Sequence, residues 1–403
     1  MNASERPLVL HVIHHLVIGG MENGVVNIVN HMPAHRYRHA IACIEDYSSF
    51  RGRIANPEVE VLALHRSRVG VWDLRRALYR LCRKLKPDIV HSRNLSGLDA
   101  LVPAILAGVP RRVHGEHGWD ISDLHGARRR STLLRKLHAP LIDRYVVVSR
   151  HLETYMRDRV GIRADRIQQI YNGVDTRRFA PRTGARTLAL PEAFQRPNSL
   201  VVGTVGRLQP IKDQATLMRA FAVMVKRHPD LAGRARLLIV GEGPARADLV
   251  TLSRSLRLED KVHFTGPLED VPAALCALDL FVLPSLNEGI SNTILEAMAT
   301  GLPVLATAVG GNSELVEDGV TGRLFAPGDA EALAGLMTRY LSDPGQGVAL
   351  GKAARVRVLE RFSLGSMVDR YADLYDCLRR LPLSHARPAV ATPPAREPSS
   401  STH

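Results

Sequence analysis

The chain has 403 residues, 45% hydrophobic and 23% charged, a size and balance that suit two globular cores rather than one. No apolar run reaches the roughly 18 residues of a membrane-spanning helix, and the stretch Leu8–Ile18, broken by His11, His14 and His15, does not read as a secretory leader. The formal charge of +14 falls entirely within residues 1–190, which carry 31 Lys and Arg against 17 Asp and Glu, whereas residues 191–403 carry 23 of each. That asymmetry points to an acidic partner of the N-terminal half: nucleic acid, anionic lipid or a phosphorylated substrate.

Strands are predicted over Leu8–Ile13, Ala40–Ile44, Val59–Leu64, Asp88–His91, Arg112–His114 and Tyr145–Val148, with helical patterns over Asn23–Met32, Trp72–Lys86, Ser96–Ala107 and Ser149–Val160 between them. Strand–helix alternation implies a parallel sheet with right-handed crossovers. Gly19 and Gly20 follow the first strand and open a helix, where bare backbone lets a pyrophosphate approach. His114, Glu116 and His117 close the fifth strand, and the residue types leave open whether Glu116 faces a cleft. Arg128, Arg129, Arg130, Arg135 and Lys136 are interleaved with Leu133, Leu134, Leu137 and Leu141. Two readings stay open for this stretch: contact with an anionic membrane surface, or a solvated helix that packs its leucines inward.

Pro181, Gly184, Pro191 and Pro197 mark a linker. A second alternating series follows, with strands over Leu200–Val205, Leu237–Val240, Val262–Thr265, Leu280–Leu283 and Pro303–Ala306. Its helices are expected over Asp213–His228, Ala245–Leu256, Val271–Ala277, Thr293–Thr300 and Glu331–Leu341. The expected organisation is α/β: a Rossmann-like domain over 1–185, a second over 190–361, and a helix over 362–381 that completes the first. The Pro- and Ser-rich tail 382–403 is expected to be disordered. Four dispersed cysteines read as reduced thiols of a cytosolic protein.

Two loops of the second half carry chemistry. After Leu200–Val205 come Gly206, Arg207 and Lys212, and Asp213 is a good N-cap for the next helix. Two cations and a helix N-terminus at the carboxyl end of a parallel strand suit a diphosphate. After Leu280–Leu283 come Glu288, Gly289, Ile290, Ser291 and Asn292, then Glu296 in the next helix. Carboxylates accept paired hydrogen bonds from vicinal hydroxyls, and free N–H groups at Ser291–Thr293 suit a phosphate. Thr293 and Glu296 also have capping-box spacing, a competing and purely structural role for Glu296.

Glu288 and Glu296, separated by seven residues, resemble the E-x7-E motif of the retaining glycosyltransferase family 4, whose fold is GT-B. Arg207 and Lys212 match that family's donor-phosphate cations, Gly266 in Phe264-Thr265-Gly266 its nucleobase contact, and Asn172-Gly173-Val174-Asp175 its interdomain segment. The resemblance runs from about residue 8 to 380; one departure is Ile290-Ser291, where the family often has Phe-Gly. It implies two Rossmann-like domains across a cleft and transfer of a sugar from a nucleotide diphosphate sugar to a hydroxyl, most like bacterial exopolysaccharide transferases. It further implies that Gly19 and Gly20 close over the donor phosphates and that His117 lies beside the transferring sugar. Glu288 then holds sugar hydroxyls and Glu296 the ribose. The helix over 362–380 crosses back to the first domain. The chain contains no Asp-x-Asp, so no metal and no cofactor is expected. The expected partners are a nucleotide sugar, a glycan or lipid-linked glycan acceptor and an anionic membrane surface on the cytoplasmic side. Two rivals are a nucleotide-sugar 2-epimerase of the same fold, which the acidic pair disfavours, and a nucleic-acid binder, for which no basic–aromatic module is present.

Overall fold

The computed structural model describes residues 6–118 and 128–381, so the tail expectation for 382–403 lies outside the described residues. Seven strands form the first sheet: β1 Leu8–Ile13, β2 Arg38–Cys43, β3 Glu60–Ala63, β4 Ile89–Arg93, β5 Arg111–Glu116, β6 Arg144–Val147 and β7 Ile167–Gln169. Their order is β3-β2-β1-β4-β5-β6-β7, all parallel. Six more form the second: β8 Leu200–Val205, β9 Ala235–Val240, β10 Val262–Gly266, β11 Leu280–Leu283, β12 Val304–Thr307 and β13 Arg323–Phe325. Their order is β10-β9-β8-β11-β12-β13, again parallel. Helices cover both faces of each sheet, which is why β1, β8 and β9 are buried along their whole length, His11, Thr204 and Arg236 included. The expected α/β architecture of two doubly wound, Rossmann-like units is the one observed.

Winding reverses at β1, which lies between β2 and β4, and at β8, which lies between β9 and β11. Open parallel sheets bind ligands at the carboxyl ends beside such reversals. Here the two sets of carboxyl-end loops meet: Asn292 Nδ2 donates to Gly20 O at 3.0 Å, and a Cβ on Gly289 would lie 2.7 Å from His117 O.

Helix Leu364–Arg380 returns to the first sheet, capped by Ser363 Oγ on Ser366 N. Its Met367, Val368, Tyr371, Leu374, Tyr375 and Leu378 share one core with Val9 of β1, Ile89 of β4, Val113 of β5 and Val146 of β6. Asp376 accepts from Arg36 Nη2 and from the Tyr37 hydroxyl, each at 2.5 Å. The stretch 181–197 is not a free tether. Arg186 donates to Ala277 O and to Asp279, and Leu190 and Phe194 are buried.

Three details depart from the expected elements. β7 and β13 are three-residue edge strands, too short for periodicity to register. Helix Pro344–Arg361 hides behind Pro344, Gly345, Gly347 and Gly351; Gly351 is required because a Cβ there would lie 2.0 Å from Gly301 O. The pattern over 96–107 splits into Asn94–Gly97, a tighter turn at Leu98–Ala100 and Leu101–Leu106, which leaves Pro103 in a first helical turn where its missing N–H costs nothing.

Candidate active site

A cleft of about 430 Å³ separates the two sets of carboxyl-end loops. The first half contributes Ile18–Asn23, Phe50, Arg53, Asn94, His117 and Gly118; the second contributes Gly206, Arg207, Lys212, Asn287–Thr293 and Glu296. Another cavity, of about 410 Å³, is lined by Arg6, Tyr37, His39 and Glu60. It opens at the starts of the strands, away from the winding reversals, so the interdomain cleft is the candidate site.

Lys212 and Glu288 are joined directly. The first closes the short turn Pro210–Lys212 after β8, and the second stands in the loop after β11. Lys212 Nζ lies 2.6 Å from Glu288 Oε1, which also accepts from Ser285 Oγ at 2.7 Å. Leu286 N donates to Ile211 O at 2.8 Å and holds the two loops side by side. The Glu288 side chain is 9% exposed and that of Lys212 23%, so the pair is substantially desolvated. Asp213 caps the following helix as expected, accepting from Thr216 N and Thr216 Oγ1. Arg207, by contrast, is exposed at the cleft wall and forms no ion pair among the described residues.

Gly266 stands off the cleft lining. Its carbonyl accepts from Gly241 N at 2.9 Å, while a Cβ on Gly241 would lie 2.0 Å from Gly206 O. Glycine 266 therefore braces glycine 241, which sets the position of glycine 206. Ile290 buries its side chain beneath the loop, and Gly310, at φ +51, is pressed against Glu288 O from below.

Ser291, not Thr293, caps helix Asn292–Ala299, accepting from Ile294 N at 3.3 Å. The capping-box alternative for Glu296 is thereby excluded: Glu296 lies a turn beyond the cap, faces the cleft, and its carboxylate accepts no capping bond. Burial raises its carboxyl to about 7, against the opposing pull of Arg178 and Arg53. Asn292 acts with its side chain as well as its backbone. Its Oδ1 accepts from Asn172 Nδ2 at 2.7 Å while its Nδ2 donates to Gly20 O, which ties the interdomain segment, the second half and the glycine loop together.

His117 lines the cleft, with its N–H donated to Asn94 Oδ1 at 2.9 Å. Its Nε2 is buried, has no hydrogen-bond partner among the described residues, and lies where a Cβ on Gly115 would be 2.7 Å away. Burial, reinforced by Arg93, pushes His117 down to about 3, so the ring is neutral. Arg93, at the end of β4, is fully buried and donates to His11 Nδ1 at 3.1 Å.

Glu116 does not face the cleft. It is buried and receives Arg135 through two bonds, Nε to Oε1 at 2.6 Å and Nη2 to Oε2 at 3.0 Å. Burial opposes its ionisation, but Arg135 and the hydrogen bond from His114 prevail and hold it down at about 2. Arg135 must therefore be removed from the expected surface patch: it is an interior residue, stacked under Tyr155 at 5.6 Å. On the same helix, Thr132 pairs with the Tyr155 hydroxyl, while Leu133 and Leu137 stand 56% and 64% exposed beside exposed Arg129, Arg130 and Lys136. The inward-packing reading fails for these leucines.

Asn94, Glu22, Arg53 and Asn172 in the cleft, and Ser285 beneath Glu288, were not anticipated as site residues. Asn172, Glu22 and Ser285 stand in segments that the sequence singles out, Asn172-Gly173-Val174-Asp175, Gly19-Gly20-Met21-Glu22 and the loop after Leu280–Leu283, but without a role assigned to them; Asn94 and Arg53 depend on which loops the two sheets bring together.

Residues 18–178 match the model of Glycosyltransferase Family 4, and residues 199–343 match that of Glycosyl transferases group 1. A galactosyltransferase of Escherichia coli, UDP-Gal:alpha-D-GlcNAc-diphosphoundecaprenol alpha-1,3-galactosyltransferase, is 30% identical over 74% of this chain and 78% of its own. The chain belongs to glycosyltransferase family 4. This glycosyltransferase is also 33% identical, over 66% of its length and 70% of the relative's, to a GDP-mannose-dependent phosphatidylinositol monomannoside mannosyltransferase of Mycolicibacterium smegmatis. In fold it is similar to HepE of Anabaena, solved with UDP and glucose, at TM-score 0.78 and 21% identity over 92% of this chain and 100% of that one. It is similar also to sucrose-phosphate synthase of Thermosynechococcus elongatus, at TM-score 0.76 and 24% identity over 93% and 99% of the two chains.

Proposed function

We propose that this glycosyltransferase takes a nucleotide diphosphate sugar into the interdomain cleft and passes the sugar, with retention at the anomeric carbon, to a hydroxyl of a lipid-linked or polymeric glycan in cell-surface or exopolysaccharide synthesis. The observation that carries the reading is the convergence of Arg207, the Lys212–Glu288 pair and the Gly19–Gly20 loop on one cleft. The barrier to such a transfer is largely the charge that develops on the departing diphosphate. Cations and backbone N–H groups fixed in advance around that charge are commonly the largest catalytic term. Arg207 and Lys212 supply it from the protein, and in this scheme no metal or cofactor takes part.

Glu288, held by Lys212 and Ser285, fixes the donor sugar's hydroxyls, and Glu296 takes the ribose. Neutral His117 borders the reacting sugar. Among the described cleft carboxylates, Glu288 is engaged by Lys212 and Ser285, Glu296 lies toward the nucleotide, and Glu22 is folded onto the end of helix Gly20–His31, so none is presented as a nucleophile at the sugar face. Attack by the acceptor on the same face as the departing phosphate, with that phosphate receiving the proton, is the route this arrangement supports.

The acceptor side is read from helix Arg129–His138. Its exposed leucines and cations fit an anionic membrane on the cytoplasmic face, where a lipid-linked acceptor resides. Among the described residues no helix is long and apolar enough to cross a membrane, so attachment would be peripheral. Two of the relatives named above act, by their names, on diphosphoundecaprenol-linked and phosphatidylinositol-linked substrates. Equilibrium titration of the protein with UDP and GDP tests the donor site. The reading requires one of them to bind, and to bind weakly once Arg207 is replaced by Ala; equal affinity in the two proteins would overturn it.

A further inference from the structure

Helix Gly20–His31 starts without a capping side chain, because its N-cap is Gly19. The first N–H groups of a helix have no partner within it and attract an anion. Glu22, the only acidic residue of that first turn, folds back onto this end: a Cβ on Gly19 would meet Glu22 Oε2 at 2.2 Å. The backbone angle of Gly19, φ −168°, is open to any residue, and what a side chain there would meet first is this carboxylate, which would have to swing aside. Burial raises the Glu22 carboxyl, while its own backbone N–H, Arg207 and His15 favour the charge. Glu22, Gly19, Gly20 and Arg207 all line the cleft. The carboxylate thus occupies the helix end at which the glycine loop receives phosphate in the reading above.

We infer that Glu22 is a resident anion that competes with the diphosphate for the end of helix Gly20–His31 and for Arg207, and so limits how tightly nucleoside diphosphate is held. This rests on the donor-site reading given above. The carboxylate stands beside the helix end, where the Glu22 N–H and the charge of Arg207 favour its ionised form. An arriving diphosphate must displace it, and like charges brought together at an interface are strongly unfavourable. After transfer the product keeps its full charge against the returning carboxylate, which speeds its departure.

The test is titration of wild-type protein and Glu22→Gln with UDP and with GDP, together with the dissociation rate of whichever binds. Glutamine keeps the shape and a hydrogen-bond acceptor but removes the charge. The expected result is tighter binding by roughly tenfold, a common scale for coupling between charged sites, carried by slower dissociation. Glu22→Ala should move affinity the same way, which guards against a local effect of the amide. Equal or weaker binding in both variants, with unchanged melting temperatures, overturns this inference and leaves the donor site standing. Failure of wild-type and variants alike to bind either nucleotide overturns the donor-site reading, and this inference with it.

Discussion

Glu288 Oε1 lies 2.6 Å from Lys212 Nζ, in an ion pair that joins the loop after β11 to the loop after β8. The pair spans the winding reversal of the second sheet, so the two side chains assigned to sugar and to phosphate hold each other in place. A cation held this way needs little reorganisation when a diphosphate arrives, which is the condition under which fixed charge is most effective in catalysis.

Replacement of Arg207 or Lys212 by Ala should lower turnover on the order of 10²-fold each. The two replacements should differ in what else they disturb. Loss of Lys212 leaves the mostly buried Glu288 without its cation, so only Lys212→Ala should also lower the melting temperature. Steady-state kinetics beside melting curves separate these effects. In the same assay EDTA should leave wild-type activity intact; loss restored by a divalent ion would contradict the scheme in which protein cations alone carry the phosphate charge.

Glu296 gives a pH signature of opposite sign to an ordinary carboxylate. Its folded-state carboxyl, near 7, lies above the usual 4.5, so folding takes up a proton between those values and stability falls as pH rises through that window. Glu296→Gln removes the penalty. Without ligand, the variant should melt above wild type at pH 8, and the gap should close toward pH 4.5, while its affinity for the donor nucleotide drops. Lower melting at pH 8 with unchanged nucleotide affinity would return Glu296 to a structural role.

Glu116 has the reverse sign. Its carboxyl is held at about 2 against an ordinary 4.5, so its contribution is complete above about pH 4.5 and is lost as pH falls toward 2. Removing one partner of a buried ion pair strands the other, at a cost of about 3–5 kcal/mol. Glu116→Gln should therefore lower the unfolding free energy by that amount at neutral pH, with the deficit shrinking in acid. Urea denaturation across pH 2.5–7 measures it, and a deficit that does not vary with pH would rule out the charge as its source.

Much of the fold was legible because parallel strands are buried on both faces and stand out as apolar runs. β1, β8 and β11 have the bounds the sequence predicts. The candidate site was legible where a motif is local, as at Arg207, Lys212, Glu288 and Glu296. What stayed hidden depends on distance in sequence. Nothing near residue 135 announces that Arg135 turns inward to Glu116, because the pairing is set by where helix Arg129–His138 packs against the turn Met156–Val160 and against Asn94–Gly97. Nor does any local pattern show that Glu22 folds over Gly19 or that Asn292 reaches Gly20 across the cleft.

The revised surface of helix Arg129–His138 sharpens the membrane expectation. Changing Arg129, Arg130 and Lys136 to Gln together with Leu133 and Leu137 to Ser should abolish co-sedimentation with anionic vesicles at low salt and spare nucleotide binding. Each cation near such a surface contributes roughly 1 kcal/mol, screened over about 8–10 Å. Arg135→Gln should instead destabilise the protein without this selectivity. Vesicle binding that survives the five changes would assign docking to another face.

The most direct test of the central claim is release of nucleoside diphosphate from a panel of UDP- and GDP-sugars, with an undecaprenyl-diphosphate-linked glycan as acceptor and the anomeric configuration of the product read by NMR. The account predicts release from one donor class, dependence on acceptor, an α-linked product from an α-linked donor, and loss of all three in Arg207→Ala. Release of a free epimerised sugar without acceptor, or a product of inverted configuration, would contradict it.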